Sequence, residues 1–123
     1  METYTVKVYL SGTRYWYQNN KLNRLDGPAV EYTDGDRYWY QNDQRHRLDG
    51  PAIEYANGDR VWYQNGQRHR LDGPAVEWAN GHREWWIKGK QLTEEKFNRQ
   101  TKKTTCENKT VVIDGITYKL VKE

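Results

Sequence analysis

Two clusters stand out for what their side chains could do: Arg45, His46 and Arg47 close to Trp39 and Tyr40, then Arg68, His69 and Arg70 close to Trp62 and Tyr63. Guanidinium and imidazole groups beside aromatic platforms suit stacked bases with their phosphates, or one small anionic nucleotide in a pocket. The same groups also serve a sheet as cross-strand glue, a cation over a ring contributing about 0.5–1 kcal/mol at an exposed site. Asp26, Asp49 and Asp72 recur every 23 residues and could do acid–base work if two of them converged. Repetition argues against that chemistry. An active site is an asymmetric constellation whose groups differ in pKa and role, whereas tandem copies set identical groups in identical surroundings. The chain therefore reads as non-enzymatic. His46, His69 and His82 would need further donors to hold a metal, yet Asn23 stands at the equivalent position of the preceding copy and Cys106 is the single cysteine. Packing or hydrogen bonding is the expected role of these imidazoles, with no metal and no cofactor. Glycine-rich phosphate loops and nucleophile elbows are absent from the sequence.

The residues come in phase because the chain repeats. Residues 14–36, 37–59 and 60–82 are three consecutive copies of 23 residues, the second and third matching at 18 positions, and a fourth begins at Arg83 before dissolving. Each copy carries two turn signals. Asp34-Gly35, Asn57-Gly58 and Asn80-Gly81 read as two-residue hairpin loops, and Asn19-Asn20, Asn42-Asp43 and Asn65-Gly66 follow each "WYQ" segment. A two-residue loop at Asp34-Gly35 pairs Tyr32 with Arg37, Glu31 with Tyr38, Val30 with Trp39 and Ala29 with Tyr40; Tyr55 then faces Arg60 and Trp78 faces Arg83. On this register the core line comprises Trp16, Trp39, Trp62 and Trp85 with Val30, Ile53 and Val76. Two-residue Asn turns place His46 opposite Trp39 and His69 opposite Trp62.

The heptads "RLDGPAV" and "RLDGPAI" then read as corners between hairpins: glycine before proline is held extended, proline lacks the amide a central ladder needs, and aspartate can bond local amides. The fold expected is mainly β, an elongated curved antiparallel sheet of tandem 23-residue hairpin repeats in one domain. Within it, residues 1–13 form a capping strand, 14–92 the array, 93–100 a short helix with Thr93 as N-cap, 101–109 a polar basic loop, and 110–123 a closing hairpin around Asp114-Gly115. About ten strands at ~4.8 Å spacing give a ribbon on the order of 45 Å long.

Composition narrows the partners. Mean hydropathy is −1.22, yet 14% of the 123 residues are aromatic, too many for a disordered chain. The net charge of +3 belongs to the C-terminal part: residues 14–82 carry nine Lys and Arg against ten Asp and Glu. Long nucleic acid is not expected. The single cysteine and the lack of an apolar leader or membrane-length run predict a cytoplasmic protein with no membrane partner. An open ribbon leaves unpaired edges, so a homo-oligomer is a further expectation.

From Gly12 to Leu92, through "WYQNGQRHR" and "YANGDR", the chain resembles MORN-type repeat proteins, departing from them in having "RLDGPA" where that class tends to carry Gly-x-Gly. The "LDGPA … NG … WYQNG" style ending in "LTEEKF" is also similar to uncharacterised repeat proteins of tailed bacteriophages. These resemblances imply a curved antiparallel sheet that works as a binding scaffold, phage-encoded, acting in the host cytoplasm on a host protein in takeover or anti-defence. The alternative is sequestration of a signalling nucleotide by the two Arg-His-Arg clusters.

Overall fold

The computed structural model describes residues 3–106, 111–113 and 116–118. The chain is mainly β, with one helix among the described residues. It divides into two compact units, Met1–Gln91 and Leu92–Glu123. The strands are β1 (Thr5–Val8), β2 (Arg14–Gln18), β3 (Lys21–Leu22), β4 (Val30–Glu31), β5 (Arg37–Tyr38), β6 (Tyr40–Gln41), β7 (Gln44–Arg45) and β8 (Ile53–Glu54). They continue with β9 (Arg60–Val61), β10 (Tyr63–Gln64), β11 (Gln67–Arg68), β12 (Val76–Glu77), β13 (Arg83–Ile87) and β14 (Lys90–Leu92). Ten of them form one antiparallel ladder in the order β1-β2-β4-β5-β8-β9-β12-β13-β14, with β3 on β2. Among the described residues the outer edge of β1 is unpaired.

The turns after "WYQ" have the expected two-residue form. Asn42 and Asp43 have φ of 50° and 67°, and Gln41 faces Gln44 across them. Both positions need left-handed backbone, which Asn, Asp and Gly tolerate. The loops at Asp34-Gly35, Asn57-Gly58 and Asn80-Gly81 differ from expectation by one residue. Glu31 faces Arg37, and Val30 faces Tyr38. Gly35 donates to the Tyr32 carbonyl at 3.1 Å while Tyr32 donates to the Asp36 carbonyl at 3.0 Å, so three residues form the loop and Gly35 takes the left-handed bulge at φ 103°. Asp34 Oδ1 accepts from the Asp36 amide at 3.0 Å and favours this longer form. The expected facing of Tyr32 with Arg37, Tyr55 with Arg60 and Trp78 with Arg83 is thereby replaced.

The corrected register sorts side chains into two cross-strand rows. One row reads Arg14, Glu31, Arg37, Glu54, Arg60, Glu77, Arg83, alternating charge at every step. The other reads Tyr15, Val30, Tyr38, Ile53, Val61, Val76 and carries the core. Val30, Ile53 and Val76 are buried as expected, together with Ala29, Ala52, Ala75, Val61 and Tyr63. The tryptophans assigned to the core line are only partly buried. Trp16, Trp39 and Trp62 are joints in the backbone. Trp39 donates its amide to Ala52 of the main ladder at 2.7 Å, and its carbonyl accepts from the His46 amide at 3.1 Å.

Beyond that joint the Asn-turn hairpins make a second ladder. Arg24 donates to the Tyr40 carbonyl at 3.2 Å and Asp43 to Leu22 at 2.9 Å; Arg47 to Tyr63 and Gly66 to Arg45 repeat the pattern one copy on. Each copy is thus tied to the next along two lines.

In the second unit, helix α1 (Glu94–Cys106) starts where expected: Thr93 Oγ1 accepts from the Lys96 amide at 3.1 Å, with Glu94 and Glu95 in the first turn. It runs past 100 into the segment read as a loop. Thr101 Oγ1 donates to the Phe97 carbonyl at 2.9 Å, inside the helix. Residues 107–109 of that expected loop lie outside the described residues. β15 (Val111–Ile113) and β16 (Ile116–Tyr118) pair antiparallel as the closing hairpin, whose turn pair Asp114-Gly115 also lies outside them. No described helix is long and apolar enough to cross a membrane.

Candidate functional site

Each "RLDGP" corner is built around its arginine. Arg47 lies over Trp39, Cζ 3.8 Å from the ring centroid. It donates from Nε to Asp49 Oδ1 at 3.0 Å, and from Nη1 to the Pro51 carbonyl at 3.0 Å and Glu54 Oε2 at 3.2 Å. Arg24 on Trp16 and Arg70 on Trp62 repeat this, both at 3.9 Å. The aspartate therefore binds its own guanidinium, where local backbone amides were expected. The glycine before proline makes room: a Cβ on Gly50 would sit 2.9 Å from Arg47 Cζ. Asp26, Asp49 and Asp72 remain separate and mostly exposed, each held by a different arginine.

The imidazoles join copies. His46 Nδ1 accepts the Asn65 amide at 3.0 Å, and His69 Nδ1 accepts the Lys88 amide at 2.9 Å. Asn23 does the same with Oδ1 towards the Asn42 amide at 3.0 Å. Among the described residues no three His, Cys, Asp or Glu side chains converge on a point.

Between successive corners lie two open clefts. One, of about 570 Å³, holds Trp39, Gln41, His46 and Arg47 between the corner of Arg24–Pro28 and that of Leu48 and Asp49. The next, of about 610 Å³, holds Trp62, Gln64, His69 and Arg70 between Leu48–Gly50 and Leu71–Asp72. Leu48, 74% exposed, is the wall they share, and Leu25 and Leu71 stand exposed at equivalent positions.

The clefts gather Trp39, His46 and Arg47, and Trp62, His69 and Arg70, from the residues picked out in the sequence. They leave out Tyr40, Arg45, Tyr63 and Arg68. Arg45 sits among the rings of Tyr38, Tyr40 and Tyr63 at 5.4–6.0 Å, its buried Nε without a hydrogen-bond partner among the described residues. Arg68 covers Trp86 at 5.0 Å and pairs with Glu84 at 3.9 Å. Sequence reasoning passed over Arg24, the glutamines and the corner leucines. The visible signal was a leucine set between Arg and Asp in every copy, a poor place for an apolar residue unless something covers it.

Burial and the neighbouring Lys88 hold His69 below the ordinary histidine range. The unfolded chain then binds the proton more readily, so this contribution to stability is complete above the unfolded value of about 6.5 and falls as pH drops through it. We expect His69→Asn, which copies Asn23, to keep the bond to Lys88 and flatten the urea midpoint between about pH 5 and 7. An unchanged slope would mean that other groups titrate there.

The fold and site define a class: an open antiparallel ladder of tandem hairpin copies whose joined corners frame a row of clefts. No family model matches the chain, and no curated protein matches it.

Proposed function

We infer that this chain is a non-enzymatic scaffold that binds a segment of another protein along the row of corners. The carrying observation is the pair of in-register clefts sharing Leu48, floored by Trp39, His46 and Gln41 in one and by Trp62, His69 and Gln64 in the other. Exposed apolar side chains over aromatic floors are the usual make-up of protein-binding surfaces.

A small anion fits the site less well. Arg47 and Arg70 each already hold two carboxylates, Asp49 with Glu54 and Asp72 with Glu77, and the aspartates stand at the cleft mouths. Phosphate would meet cations already matched by two carboxylates each, and exposed negative charge.

The test is selection from an unbiased displayed-peptide library on the full chain, beside melting with a nucleotide panel. We expect enriched peptides whose binding Leu48→Lys abolishes. Nucleotides should leave Tm unchanged, since a ligand at 100 times its Kd would add about 2.7 kcal/mol. A nucleotide-dependent rise in Tm, or selected peptides indifferent to Leu48→Lys, would overturn this reading.

A further inference from the structure

The row of corners has a fixed pitch. Successive copies advance by two strands of the main ladder, so at ~4.8 Å per strand Leu25, Leu48 and Leu71 recur about every 10 Å. A bound segment must present side chains on one face at that interval. An extended β segment repeats at about 6.7 or 13 Å, which misses it. An α-helix returns after a heptad at about 10.5 Å, and a polyproline II segment after three residues at about 9.3 Å.

The polar groups of the clefts separate these two. Because His46 and His69 accept at Nδ1, each neutral ring carries its proton on Nε2. That N–H, the indole N–H of Trp39 or Trp62 and the carboxamide of Gln41 or Gln64 all belong to cleft-lining residues. None of these groups donates to a partner among the described residues. Such donors call for free acceptors. An α-helix uses its carbonyls internally, whereas a polyproline II backbone has no internal hydrogen bonds and presents all of them. Asp26, Asp49 and Asp72, largely exposed beside the leucines, add a preference for cations on the ligand.

Resting on the protein-binding reading above, we propose that the corner row binds a basic polyproline II segment of a partner protein. Every third side chain of the segment seats between successive corner leucines, and its arginines or lysines meet the corner aspartates. Its carbonyls accept from the Trp, His and Gln donors of the clefts. The surface thus works by the groove logic of proline-rich recognition, on a repeat whose pitch sets the register.

The experiment titrates the full chain with three synthetic peptides of about twelve residues, roughly four polyproline turns. The first has leucine at every third position among prolines with arginine at both ends; the second replaces the prolines by glycine; the third is an amphipathic helix of leucine and lysine in heptads. The expected result is saturable binding of the first, with at least about tenfold weaker binding of the glycine peptide, which must first be ordered. Leu48→Lys, at an exposed site, should weaken the first peptide by about tenfold or more without lowering Tm. Equal binding of the glycine peptide, tighter binding of the helix, no saturation of the proline peptide at millimolar concentration, or indifference to Leu48→Lys would each overturn the proposal. If library-selected peptides that are not proline-rich still depend on Leu48, the polyproline assignment fails while the protein-binding function stands.

Discussion

Replacing Arg47 by alanine is expected to destabilise the repeat ladder by about 2–4 kcal/mol, more than any other change at an exposed or half-exposed position. The bond to Asp49 contributes little, because that carboxylate is 88% exposed and stays hydrated without a partner. The larger losses are inside the corner. Removing the guanidinium strips one face of Trp39, leaves the half-buried Pro51 carbonyl without its donor, and takes from Glu54 the nearer of its two cations, at 3.2 Å against 3.9 Å for Arg37. An orphaned carbonyl costs about 1–3 kcal/mol, and a desolvated cation–ring contact is worth up to about 2. Lysine should recover less than half of the loss, since a point charge cannot stack flat on the indole and reach both oxygens. Urea unfolding followed by tryptophan fluorescence gives the number. A cost under about 1 kcal/mol would mean that the corner holds its shape through Pro51 and Gly50 alone.

That a corner depends on its arginine was half legible in the sequence. The 23-residue period, the Asn turns, the cap at Thr93 and the closeness of Arg47 to Trp39 all follow from local chemistry in which one arrangement is favoured. The loop at Asp34-Gly35 was ambiguous, because Asp-Gly serves both a two-residue turn and a three-residue turn with a left-handed bulge. Beside the local bond from Asp36 to Asp34, contact with the next copy holds the longer form. Asp36 Oδ1 accepts the Ala56 amide at 2.7 Å, and Asp59 accepts Ala79 at 2.6 Å, contacts 20 residues away in sequence. A slip of one residue exchanges the faces of a strand, which is why the charge row of Arg37, Glu54 and Arg60 was missed while each pair of turns was seen. The clefts were hidden for the same reason. Arg24, Leu25 and Asp26 meet Trp39 and His46 only once successive copies are stacked.

Stacking is also where the core is thinnest, and Ile53→Ala is expected to cost about 2–4 kcal/mol. Ile53 is 3% exposed and stands between Tyr38 and Val61 in the apolar row, packed with Ala52, Tyr63 and Val76. A globular core can close partly over a lost side chain, but here each copy touches only the copies beside it. The Tyr38 and Val61 strands are held apart at ladder spacing by the backbone, so the void should persist. Ile53→Val is the calibrating variant, because Val30 and Val76 occupy the same position in the other copies and its cost should stay near 0.5–1 kcal/mol. The two variants should also differ in kind. Ile53→Val should lower the urea midpoint at unchanged slope, whereas the alanine variant should lower the slope as well, because loosening the middle copy lets the flanking copies unfold separately. An alanine variant with an unchanged slope and a cost below about 1 kcal/mol would place the cohesion of the array in the corner stacks, since the single exposed pairs of the Arg–Glu row are worth only about 0–1 kcal/mol each.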